Sequence, residues 1–120
     1  MSEDKIPAWC AGEEWCPMTA ASNIIGKKWH PVIISMLLDA ERGFNELKNE
    51  VKGISGKVLS ENLEELQEKN LVKKNVVSEK PLRVKYSLTS AGRSLKPVLD
   101  ELNDWAVEHL EPSKKEKSVI

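Results

Sequence analysis

The feature that most constrains this chain is a change of hydrophobic period. From Pro17 to Asn70 the apolar residues recur at helical intervals, and from Thr89 onward they do so again. Between them, Val72 to Ser78 and Arg83 to Leu88 are β-branched or alternate with polar residues, so the period there is about two residues. Glu79-Lys80-Pro81-Leu82 separates the two runs and reads as the tip of a hairpin. The fold class this predicts is α+β, mostly α: several short helices, one two-stranded ribbon and a long C-terminal helix.

The helices follow from the punctuation. Pro17 suits a first helical turn, where a missing N–H costs nothing, and Gly26 stops the run of Ala20, Ala21, Ile24 and Ile25. A second helix is predicted to begin near Lys28; Trp29, Val32, Ile33, Met36 and Leu37 keep helical spacing, with Pro31 tolerated in the first turn. Ile34 and Leu38 make it apolar almost all round, which marks it as central and buried. Phe44, Leu47 and Val51 mark a third helix of about two turns, closed by Lys52-Gly53. Ser55 can cap a fourth, whose Leu59, Leu63 and Leu66 form a narrow stripe, and Asn70 can end it in the left-handed conformation. Thr89 can cap the last helix, which runs through Leu95, Val98, Leu99, Leu102, Trp105, Ala106 and Leu110 with a kink or break expected at Pro97. Residues 1–15 read as an N-terminal arm, 16–111 as one domain and 112–120 as a flexible tail.

Composition excludes several classes. With 40% hydrophobic residues, a chain of 120 residues supports a single core. No apolar run is long enough to span a bilayer, and only two cysteines occur, so a soluble, cytoplasmic protein is expected rather than a membrane-bound or disulfide-framed one. There is no glycine-rich phosphate loop, no nucleophile elbow and no convergent His, Ser and Asp set, which argues against an enzyme and against a cofactor. Cys10, Cys16 and His30 lack the paired spacing of a metal site, so no metal is expected; His30 and His109 read as surface or partly buried neutral side chains.

The net charge of −1 speaks against a nucleic-acid partner until its placement is considered. Residues 42–88 carry ten basic side chains against seven acidic, and the segment 72–85 holds Lys73, Lys74, Lys80, Arg83 and Lys85 against Glu79 alone. Two short helices joined by a tight turn and followed by a basic hairpin form a helix-turn-helix with a wing. Such a helix fits the major groove while the wing lays cations along the phosphates, so double-stranded DNA is the expected partner. The candidate DNA-contacting residues are Ser55, Lys57, Ser60, Glu61 and Asn62 on the fourth helix, with Lys80, Arg83 and Lys85 on the hairpin. Lys57 suits guanine or phosphate, Ser60 either, Glu61 a cytosine amine, and Asn62 an adenine if its side chain points outward. The alternative is a winged helix used only as a protein-interaction module.

The run Cys16-Pro17, Gly26-Lys27-Lys28-Trp29, Phe44-Asn45-Glu46-Leu47, Gly53-Ile54-Ser55, Leu59-Ser60, Leu63-Glu64-Glu65-Leu66, Pro81 to Thr89, Gly92 and Trp105 resembles the HxlR-type winged helix-turn-helix regulators, relatives of the MarR group. That resemblance implies a dimeric transcriptional regulator with the fourth helix in the major groove, the wing on the minor groove or backbone, and the first and last helices forming the dimer. Gly43 stands where the resembled family usually has an arginine, with Arg42 one residue earlier, and Asn62 stands where a basic residue is common. The broad apolar face of the last helix independently suggests a homodimer, with Ile24, Leu99, Leu102 and Trp105 as interface candidates and an inverted-repeat operator as its target. Cys16 lies at a helix N-terminus, which favours the thiolate, although Glu13 and Glu14 oppose it; the resemblance permits a redox-sensing role there, with Cys10 as a resolving partner. Trp9 and Trp15 either pack the arm onto the dimer or line an apolar pocket, and no effector is identified by the sequence.

Overall fold

The computed structural model describes residues 15–110. Trp9, Cys10, the arm before Trp15 and the tail at 112–120 lie outside them. The order is α1 (Pro17–Ile25), α2 (His30–Asp39), α3 (Phe44–Glu50), α4 (Gly56–Glu68), β1 (Val72–Glu79), β2 (Leu82–Leu88), α5 (Ser90–Arg93) and α6 (Lys96–His109). This is a mostly helical winged helix-turn-helix with a two-stranded antiparallel wing and a long C-terminal helix, as the periodicity predicts.

The core gathers one face from each of six elements. Ile33, Ile34 and Leu37 of α2, Leu47 of α3, Leu59, Leu63 and Leu66 of α4, Val72 of β1, Tyr86 and Leu88 of β2, and Leu99 of α6 are all buried together. The apolar stripe of α4 is fully consumed by this core, which leaves its opposite side free for other work.

The caps expected from sequence are present. Ser55 Oγ accepts a 3.1 Å hydrogen bond from the Val58 N–H, and Asn70 adopts a φ of 62° after α4. One boundary differs from expectation, and the break expected at Pro97 is present. Helix α2 starts at His30 rather than near Lys28, because Pro31 belongs within the first two helical positions. The last helix is two helices: Pro97 cannot bond the Arg93 carbonyl, so α5 ends at Arg93 and α6 restarts at Lys96 with the proline in its first turn.

The hairpin pairs in simple register from Val72 opposite Leu88 to Val76 opposite Val84, and a bulge at Val77 then shifts Ser78 opposite Arg83. Its base is stitched to the C-terminal helices by Thr89. The Thr89 hydroxyl donates to the Asn70 carbonyl at 2.8 Å and its oxygen accepts from the Gly92 N–H at 3.0 Å. Gly92 sits so close to the α4–β1 junction that a β-carbon on it would come 2.3 Å from the Leu71 carbonyl oxygen, so only glycine fits. A third strand position, which the hydrophobic pattern did not predict, completes the wing: Arg42 bridges Tyr86 on the far edge of β2.

Candidate nucleic-acid interface

Helix α4 is about 20 Å long by its thirteen residues and stands with its apolar side inward. Lys57, Ser60 and Glu61 are exposed on the other side, at the i, i+3, i+4 spacing that puts them on one face. Lys57 Nζ lies 3.9 Å from Glu61 Oε2, a solvent-exposed pair that a base edge or phosphate can replace at little cost. Farther along, Ser60, Glu64, Gln67 and Glu68 line an open groove with Lys74 of β1, so the acidic half of α4 lies against the wing's root and its one cation, Lys57, is at the leading end. Ser55 is at the N-cap, where its oxygen serves the helix.

Asn62 is a correction to the sequence reading. Its side chain does not point outward: the amide nitrogen donates to the Val58 carbonyl at 2.8 Å and the residue is half-buried. It faces His30, which is only 1% exposed and more deeply set than expected of a surface or partly buried histidine. His30 Nε2 is 3.2 Å from Glu65 Oε1 without the alignment of a hydrogen bond, and neither ring nitrogen has a hydrogen-bond partner among the described residues. Burial lowers the His30 pKa below its ordinary 6.5; the Asn62 side chain and Glu65 oppose that shift, while Lys27 and Lys69 add to it.

On the wing, Lys73, Lys74, Lys80 and Arg83 are exposed and Lys85 is half-buried. Alternation along β2 sets Arg83, Lys85 and Ser87 on the face away from the core, opposite Leu82, Val84, Tyr86 and Leu88. Lys85 lies near Glu46 at the start of α3. The Gly43 N–H, donating at 2.7 Å, holds the Glu46 carboxyl below the usual carboxylate range, and Lys85 reinforces this. The wing and the first helix of the helix-turn-helix therefore share one electrostatic seam.

Arg42 is not available to DNA. Its guanidinium donates from Nη1 to the carbonyls of Met36 and Ala40, from Nη2 to Asp39 Oδ2 at 3.2 Å and from Nε to Glu50 Oε1 at 2.7 Å. It clamps the C-terminus of α2 to the end of α3. The arginine-like position one residue before Gly43 is structural in this chain, and only the fold could reveal that, since a lone Arg after a polar break carries no sequence signal.

The dimer candidates separate. Leu99 is 8% exposed and belongs to the subunit's own core, so it has no face to offer a partner; this corrects the expectation. Ile24 is half-buried against that core, whereas Leu102 and Trp105 are exposed. Cys16 caps α1 and is disulfide-bonded; no described cysteine is a free thiol. The chain's other cysteine is Cys10.

The sequence profile of the HxlR-like helix-turn-helix family matches residues 24–114. The chain belongs to this family. Among its relatives in Bacillus subtilis strain 168, the uncharacterised HTH-type transcriptional regulator YvaP is 41% identical over 101 residues, covering 83% of this chain and 94% of YvaP. The HTH-type transcriptional regulator YodB is 37% identical over 102 residues, covering 84% of this chain and 91% of YodB. The solved reduced form of YodB superposes with a TM-score of 0.73, at 36% identity, over 84% of this chain and all (100%) of that structure. The redox regulator HypR in its oxidised form also gives 0.73, at 29% identity, over 80% of this chain and 99% of HypR. This HxlR-type chain is thus a DNA-binding transcriptional regulator and not an enzyme.

The buried histidine behind α4 yields a pH prediction. A histidine whose folded pKa is depressed binds fewer protons than in the unfolded chain, so its contribution is complete above about 6.5 and is lost as the pH falls below it. Urea unfolding of the wild type should show a lower midpoint at pH 5.5 than at 7.5, and His30→Leu should flatten that difference. Equal pH dependence in both proteins would assign it to other groups.

Proposed function

We propose that this HxlR-type protein acts in the cytoplasm as a homodimer on an inverted-repeat operator, reading sequence with α4 and holding the backbone with the wing, and that oxidation of Cys16 changes its occupancy. The observation that carries the reading is the presence of two exposed surfaces on one core: the outward face of α4 at Lys57, Ser60 and Glu61, and the cations Lys80 and Arg83 of the wing. Lys57 and Ser60 supply base-edge or phosphate donors, Glu61 an acceptor, and Arg83 with Lys80 a sequence-independent hold.

Dimerisation is supported by α6, where Leu102, Trp105 and Val107 are exposed large apolar side chains followed by exposed Leu110 just past its end, and by α1, which buries no residue within the subunit. A two-fold dimer that covers these faces sets two α4 helices about one DNA turn (~34 Å) apart. The redox part is supported by the oxidised state of Cys16 and by the relatives, one of which is named a redox regulator. Chemically, the Cys16 and Cys10 thiols lose two electrons and two protons to form the S–S bond, and hydrogen peroxide accepts them, its O–O bond breaking to give two water molecules.

Binding to duplexes selected from a random pool tests the DNA reading. The logarithm of affinity should fall with that of salt concentration with a slope of about −0.9 per phosphate neutralised. Arg83→Ala should weaken all sequences alike and make the slope shallower by about one contact, whereas Lys57→Ala or Ser60→Ala should relax base preference by about 1–3 kcal/mol. A flat salt response would instead indicate a protein-interaction module.

The redox reading has its own measurement: affinity for the selected duplex before and after stoichiometric peroxide. A change of about tenfold is expected in the wild type, with none in Cys16→Ser. An unchanged wild type would remove the sensor while leaving the DNA reading intact.

A further inference from the structure

The apolar stripe of β2 does not stop where the core stops. Leu88 and Tyr86 are buried, Val84 is half-buried beside the start of α3, and Leu82, next on the same face, is 70% exposed. Val76, directly across from Val84, and the bulged Val77 are each 57% exposed. The end of the wing therefore carries three large apolar side chains in water, although little in the folding of the subunit requires them there. The tip is also well defined: the Ser78 hydroxyl donates to the Pro81 carbonyl at 3.0 Å across the turn.

Their surroundings select the occupant. Lys74 shares their face, Lys80 stands in the turn and Arg83 projects beside Leu82 from the other face, all three exposed, while Glu79, directly across from Leu82, is the one acid of the tip. An apolar patch flanked by three cations against one acid suits a polyanion that also offers apolar surface. The minor groove of DNA does this, with phosphates on its rims and sugars and base edges between them. The patch is continuous with the wing cations that already face the backbone in the DNA-binding reading.

We propose that Leu82, backed by Val76 and Val77, is a wedge that enters the minor groove beside each half-site, partly unstacks one base step, and so makes the protein favour a flexible step there. The inference rests on the DNA-binding reading and deepens it. The lysines and Arg83 anchor the tip to both phosphate rims, and Leu82 replaces part of the stacking it disrupts with contact to sugars and bases. Pyrimidine–purine steps yield most readily, so specificity arises at a position where no side chain hydrogen-bonds a base.

The test is selection from a random duplex pool with wild type, Leu82→Ala and Leu82→Lys, followed by binding to a selected duplex with 2-aminopurine at the flanking step. Because Leu82 is exposed, both variants should fold as the wild type does. The wild type should enrich TA or CA/TG at a fixed offset outside each half-site and brighten the 2-aminopurine. Leu82→Ala should keep the half-site but lose the flanking preference, binding the flexible-step duplex about tenfold more weakly and a stiff A-tract flank nearly unchanged. Leu82→Lys should also lose the preference while steepening the salt slope by about 0.9. Retention of the flanking preference and of the fluorescence gain in Leu82→Ala overturns the wedge. So does sedimentation showing that the free wild type forms assemblies larger than a dimer that Leu82→Ala abolishes, since a second copy would then be the occupant. If the wild type binds no duplex at any salt, it is the DNA reading that fails.

Discussion

Two backbone hydrogen bonds between Arg42 and Tyr86, at 3.1 and 2.8 Å, fix where the wing stands relative to the helices. Without them β2 would be paired on one edge only, and the hairpin would be a two-stranded ribbon of marginal stability. The same residue's guanidinium binds the last carbonyls of α2 and the Glu50 carboxylate of α3. Tyr86 meanwhile turns its ring into the core beside Leu88. One residue pair thus ties the scaffold helix, the first helix of the helix-turn-helix and the wing into a unit, and the cations of β2 inherit a defined position from it.

The proposed two-surface reading of DNA needs that rigidity, because a phosphate hold by the wing would set the register in which α4 meets base edges. The other ties serve the same end. Thr89 and Gly92 pin the wing's root to α5, and the Glu46 carboxylate, caught between the Gly43 N–H and Lys85, links α3 to β2. The cost falls behind α4, where His30 is buried with neither ring nitrogen in an aligned hydrogen bond among the described residues and Nε2 3.2 Å from Glu65 Oε1. Burying a polar group without a hydrogen bond is unfavourable, and it makes the seat of α4 sensitive to protonation.

The elements were legible because each has a local cause: Pro17 and Pro31 in first turns, Ser55 and Thr89 as caps, Asn70 as a terminator, and the period change at Val72. Pro97 announced the break between α5 and α6. The tertiary roles were not legible. The role of Arg42 could not be read from the sequence because nothing in its neighbours shows that β2 will pair with it. Asn62 and Lys57 are both polar residues on one helix, and only the position of α2 decides that Asn62 turns inward. Leu99 and Leu102 lie three apart on α6, yet one is core and the other exposed, since the helix face is wider than the contact that covers it.

Wing, α4 and the exposed face of α6 together make one geometric claim: two reading heads related by a two-fold axis, each with a wing beside it. A chemical footprint of the wild type on a selected duplex measures that arrangement directly. It should show two symmetric major-groove protections centred about one helical turn (~34 Å) apart, each flanked by protected minor groove. Protection lacking two-fold symmetry, or confined to a single half-site at saturating protein, would contradict it.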